Sequence, residues 1–187
     1  ALIGFTAGLG LFLAGCRFLV LYVFGHELTH WLAAKFFLRR TGSFQIGGRR
    51  GSVAVERPNL WIVLAPYFFP IYTVIWIGLY GVFCFLQGRP GRTGASIFYG
   101  GIGFTYAFHA FLTVYALSRQ QEDLHHAGTA FSLALILFMN IAIVFISLLT
   151  ARGHWQEGVM FLWRTICAQW MTTEEIAKWL YSWIELI

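Results

Sequence analysis

The chain has 187 residues, of which 58% are hydrophobic, 19% aromatic and only 11% charged, with a formal charge of +5. An ordinary soluble domain carries about 25% charged residues, so this composition excludes one and points to a single integral membrane domain over residues 1–187. The positive excess does not form a nucleic-acid face; its arginines stand between apolar runs, where they set topology in a lipid bilayer.

A helix that crosses a bilayer needs about 20 mostly apolar residues. Four stretches qualify: approximately Leu9 to Leu38, Leu60 to Leu86, Ile97 to Leu117, and Thr129 to Leu149. The expected fold class is therefore an all-α integral membrane protein with about four transmembrane helices. The first apolar run begins as early as Leu2, and one helix from there to Leu38 would be ~55 Å long, too long for a straight span. Gly4, Gly8, Gly10 and Gly15 permit a break or a close helix contact, and Arg17 marks a polar level, so residues 2–16 are expected to form a separate element. The chain opens on Ala1 rather than Met, consistent with a start further upstream, and without a cleavable signal pattern the first span is expected to act as the membrane signal.

Between the first two stretches Arg39, Arg40, Arg49, Arg50 and Arg57 stand against Glu56 alone, whereas residues 87–96 carry only Arg89 and Arg92. The positive-inside rule makes the first segment cytoplasmic, and counting spans from it puts the N-terminus and the C-terminus outside. Within that segment, "SFQIGGRRGSVAVE" alternates Phe44 and Ile46, then Val53 and Val55, around a Gly-rich turn, which predicts a small cytoplasmic β-hairpin. At the far end, residues 151–187 form a tail with Trp155, Trp163, Trp170, Trp179 and Trp183. Thr172 with Glu175 reads as a capping box opening an amphipathic helix through Ile176, Trp179, Leu180, Trp183, Ile184 and Ile187. Such a tail suits the outer membrane surface or packing against another subunit.

The stretch "FGHELTHW", residues 24–31, sets three ionisable groups inside an apolar run. On a helix, residues four apart share a face about 6 Å apart along the axis, so His26 and His30 can offer imidazole nitrogens to one ion. Glu27 then stands beside that ion as a candidate general base. The alternative is that His26 bonds a neighbouring helix and Glu27 pairs with Arg17 or another buried cation; burying three such groups for packing alone is costly.

His26, Glu27 and His30 on a hydrophobic helix, the Arg-rich hairpin after it, and the proline-bearing "NLWIVLAPYFFP" together resemble the site-2 protease family of intramembrane zinc metallopeptidases, in its smaller bacterial branch, over roughly residues 15–150. The resemblance implies Zn2+ held by the two histidines and a third ligand from a later span, with Glu27 catalytic. It also implies a membrane protein substrate cut within or near the bilayer, and residence in a bacterial inner membrane. The family's usual third ligand, an Asp within Leu-Asp-Gly on a later helix, does not occur here.

Two candidates for that ligand remain. His109, in "GFTYAFHAFLTVYAL", and His30 each lie eight residues before the inner ends of their stretches, near Leu117 and Leu38. Both are thus about 12 Å below the same surface. Asp123, the only aspartate, precedes the fourth stretch in "QQEDLHHAG", at headgroup level unless the loop dips inward. Depth favours His109, with Asp123 as the alternative. His125 and His126 read as interfacial side chains and His154 as a lone tail histidine. Pro66 and Pro70 disturb the hydrogen-bond ladder of the second stretch and free carbonyls that need partners. By itself that is a kink; on the resemblance it is the wall of a water-accessible cavity. Asn140 reads as interhelical glue ahead of an active-site donor. Cys16, Cys84 and Cys167, without CxxC spacing, read as packing residues.

Two rival classes share part of the pattern. A catalytically inactive, protease-like subunit of a larger membrane complex would use the Gly-rich spans and Trp-rich tail to pack against partner subunits. A membrane di-iron oxygenase also carries a His-Glu-Leu-x-His box and paired histidines such as His125 and His126, but needs more histidine ligands than the six present. One zinc, two irons or no metal separates the three.

Overall fold

The computed structural model describes the chain apart from residues 16–17, 48–50, 89, 119–121, 126, 153–154 and 185–187. Cys16, Arg17, Arg49, Arg50, Arg89, His126, His154 and Ile187 lie outside the described residues, as do the side chains of Trp155, Trp170, Ile176, Trp179, Leu180, Trp183 and Ile184. In chain order the elements are α1 (Leu2–Leu13), α2 (Leu19–Phe36), β1 (Thr41–Ile46), β2 (Gly51–Val55), α3 (Leu60–Phe68), α4 (Ile71–Gln87), α5 (Arg92–Leu117), a 3-10 turn (Glu122–His125), α6 (Thr129–Arg152) and α7 (Trp155–Ile184). They divide into two compact units, Ala1–Asn140 and Ile141–Ile187.

The long apolar run at the start is split, as its length requires. Helix α1 runs out at Ala14, Gly15 follows with φ of 94°, a conformation suited to glycine, and α2 begins after Phe18. Helix α1 packs along α5. A Cβ on Gly4 would strike the backbone of Gly100, one on Gly103 the backbone of Ala1, and one on Gly8 would stand 3.0 Å from the Ala107 methyl. Glycine thus lets two backbones meet, which is how helices gain packing contacts where lipid supplies no hydrophobic drive between them. Phe12 closes this seam: it is 2% exposed, stacks on Phe111 with ring centroids 4.7 Å apart, and packs with Phe108 and Leu112.

On length and composition, α5 and residues Thr129–Leu149 of α6 can each cross a membrane, and α3 with α4 makes a third span only if the bent pair is counted as one. The four stretches expected from the sequence therefore reduce to two or three among the described residues. Helix α2 falls short because His26, Glu27, Thr29, His30 and Lys35 interrupt its apolar character. Large exposed apolar side chains such as Val114, Leu137 and Phe138 give these helices outward faces suited to lipid. Helix α3 is different, since every residue from Ile62 to Phe68 is buried within the protein.

The 70° bend between α3 and α4 follows from the two prolines. Pro66 has no N–H for the carbonyl of Ile62, and Pro70 has none for that of Pro66. The Ile71 N–H turns to Phe69 at 2.9 Å instead of reaching Tyr67. The freed Tyr67 carbonyl accepts from the Asn140 amide at 3.0 Å and the Thr113 hydroxyl at 3.5 Å. Asn140 is thus glue between α6 and α3.

The hairpin forms where the alternation places it: β1 and β2 are antiparallel, with Phe44 opposite Val53 and Ile46 opposite Gly51. Phe24 of α2 meets Phe44 edge-on at 6.3 Å, which seats β1 against α2. In the second unit the sequence reading needs correction. Helix α7 starts well before Thr172, whose hydroxyl bonds back to the Ala168 carbonyl at 2.7 Å, so Thr172 is a mid-helix residue rather than a cap. Cys84 and Cys167 are free thiols, half-buried.

Candidate metal centre

The helical period of α2 brings His26 and His30 onto one face, with their Nε2 atoms 3.2 Å apart. The carboxylate of Asp123 completes the group, its Oδ2 standing 3.6 Å from Nε2 of His26 and 3.7 Å from Nε2 of His30. One ligand atom from each residue lies within 4.8 Å of the others. A tetrahedral ion with bonds of about 2.0–2.1 Å holds its ligand atoms roughly 3.4 Å apart. The three separations therefore fit one ion without rearrangement. Among the described residues this is the one such group.

Each member is oriented by a neighbour. The carbonyl of Ile62, left without a helical donor by Pro66, accepts from Nδ1 of His30 at 2.8 Å. That bond fixes the His30 tautomer with its Nε2 lone pair turned toward His26 and Asp123. Nδ1 of His26 lies 3.3 Å from the Tyr22 hydroxyl, and the His26 ring meets Tyr67 edge-on at 5.4 Å. The Tyr67 hydroxyl donates to Oδ2 of Asp123 at 2.8 Å. The turn carrying Asp123 is itself pinned, since Leu124 is buried and its carbonyl accepts from the buried Ser132 hydroxyl at 3.1 Å. Burial alone would raise the Asp123 pKa. The nearby His26 and His30 rings and the hydrogen bond donated by the Tyr67 hydroxyl outweigh it and hold the carboxyl well below the usual carboxylate range.

Glu27 follows His26 on α2 and is buried. Strand β2 lies directly on it: a Cβ on Gly51 would come within 2.6 Å of the Glu27 Cγ and 2.7 Å of a Val23 methyl. Gly25 plays a similar part on another side, where a Cβ would stand 2.6 Å from the Tyr72 ring, whose hydroxyl bonds the Leu21 carbonyl. Close approach of β2 and α4 to α2 therefore depends on two glycines.

Of the two third-ligand candidates, the structure brings Asp123 to the histidine pair and leaves His109 outside the group. His109 is near, lining with His26, Tyr22 and Tyr72 a cavity of about 30 Å³, enough for a water or two. Among the described residues its Nε2 has no hydrogen-bond partner, and its ring interacts with the Asn140 side chain. It is not depth along straight helices that decides this, but the 3-10 turn, which folds back onto α2 and carries Asp123 to the histidines. His125 is exposed, with Nδ1 3.3 Å from the Thr129 hydroxyl. Tyr22, Tyr67 and the Ile62 carbonyl were not singled out by the sequence. The proline pair around Tyr67 was the available signal for the last two.

Compared with models of protein families, with curated proteins and with solved structures, the chain matches none.

Proposed function

We propose that the chain is an intramembrane zinc metallopeptidase of the site-2 protease kind. The observation that carries this reading is the convergence of His26, His30 and Asp123, from two separate elements, with the buried Glu27 following His26 on the same helix. Two imidazoles and one carboxylate are a donor set that suits zinc with a fourth position open. Zinc there would supply Lewis-acid polarisation of a peptide carbonyl and a water acidic enough to attack it. The protein's own part is then proton transfer: Glu27 takes a proton from the attacking water and delivers it to the leaving amine nitrogen as the C–N bond breaks. The exposed edge of the hairpin can pair with a substrate segment whose helix has opened.

In this reading α2 is the first of four spans, its polar residues turned to the metal rather than to lipid, followed by the bent α3–α4 pair, α5 and α6. The hairpin and the Asp123 turn face the cytoplasm and both chain ends lie outside. A bacterial inner membrane, a membrane protein substrate and a surface-lying α7 complete the proposal.

One observation favours the second reading, a silent protease-like subunit of a larger membrane complex: β2 lies on Glu27 through Gly51, which narrows the approach of a substrate to the base. Metal analysis of the purified protein together with hydrolysis of a membrane-embedded peptide separates the two. The enzyme reading expects one zinc per chain, activity abolished by Glu27→Gln, and zinc retained in that variant. A metal-free wild type without hydrolysis would falsify it.

A further inference from the structure

We propose that Tyr67 is the positioning residue of the metal centre, holding the Asp123 carboxylate at ligand depth; this rests on the metallopeptidase reading above. Asp123 belongs to a short turn between α5 and α6, and a carboxylate on such a turn belongs by preference in water or headgroups. Something must hold it inward before any ion arrives. Tyr67 is placed to do so, being 1% exposed with its hydroxyl 2.8 Å from Oδ2, the same oxygen that faces both histidines.

Tyr67 is in turn fixed at both ends. Its carbonyl, released by the break between the two prolines, is held by Asn140 of α6 and Thr113 of α5. Its ring packs edge-on against His26 at 5.4 Å. The residue thus links three helices to the turn, and its hydroxyl is left one direction in which to point. A donor on a ligating carboxylate sets which lone pair faces the ion, and loss of such a partner typically weakens metal binding about 10–100-fold.

The test uses the full chain in detergent and the Tyr67→Phe variant, which keeps the ring against His26 and removes only the hydroxyl. Zinc affinity by chelator competition should fall about 10–100-fold, and the visible bands of the cobalt-substituted protein should shift as the carboxylate moves. Equal affinity and unchanged bands would overturn the inference. A second readout needs no metal. Asp123 is the only aspartate in the chain, so aspartate carrying heavy carbon in its side chain marks one carboxylate. Its infrared stretch in metal-free protein should shift between wild type and Tyr67→Phe, and an unshifted band sinks the inference. A wild type that binds neither zinc nor cobalt but shows the infrared shift rejects the metallopeptidase reading while leaving the Tyr67 contact standing.

Discussion

The carbonyl of Ile62 accepts a hydrogen bond from Nδ1 of His30 at 2.8 Å, and it is free to do so because Pro66, one turn on, has no N–H to give it. A proline that looks like a helix fault therefore sets the tautomer of a candidate metal ligand. The Pro66→Ala substitution restores a backbone donor that competes for the Ile62 carbonyl. We expect it to weaken zinc binding about tenfold, at the lower end for a lost orienting partner, because the carbonyl retains a second lone pair. Chelator competition on the purified protein reads this, and an affinity equal to wild type would mean that Ile62 serves both donors without cost.

The membership of the metal group is checked by comparing four alanine variants. His26→Ala, His30→Ala and Asp123→Ala should each lose stoichiometric zinc, while His109→Ala should keep it, since His109 stands outside the group and faces Asn140. Elemental analysis after dialysis gives the answer. His109→Ala emptying the site as completely as Asp123→Ala would reject the two-histidine, one-aspartate assignment.

Gly51 offers a test of whether β2 lies on Glu27 in the working molecule. A Cβ there would be 2.6 Å from Glu27 and 2.7 Å from Val23, so Gly51→Val must displace either the strand or the carboxylate. We expect kcat/KM to fall at least about tenfold, about 1.4 kcal/mol of transition-state stabilisation, with zinc content unchanged. Gly42→Ala, whose added methyl would stand 3.2 Å from that of Ala54, should do much less. Full activity in Gly51→Val would mean that the strand is elsewhere during catalysis.

The orientation proposed for the chain is open to labelling. In a variant without native cysteines, a cysteine at the exposed Ser43 or Ser52 should react with an impermeant reagent from the cytoplasmic side only, and one at the exposed Thr93 from the outer side only. The reversed pattern would turn the protein over in the membrane and put the metal centre near the opposite face.

Features that depend on near neighbours could be read from the order of residues. His26, Glu27 and His30 were legible because a helical period of 3.6 aligns residues four apart whatever surrounds them. The hairpin was legible because alternation about a Gly-rich turn is a local signal, and the break after α1 because no single helix of that length fits a bilayer. What these features meet depends on long-range packing. Glycines at Gly4 and Gly8 announce a close approach but do not name α5 as the partner. Pro66 and Pro70 announce freed carbonyls but not that His30 would claim one and Asn140 another. Choosing between His109 and Asp123 by depth assumed straight helices with loops left at the surface, whereas Tyr67 and Ser132 hold the Asp123 turn inward. The contacts of Tyr67 with Asp123 and Asn140, and of His30 with Ile62, join residues far apart in the chain, and they form where the bend between α3 and α4 brings together buried donors and acceptors that must pair once water is excluded.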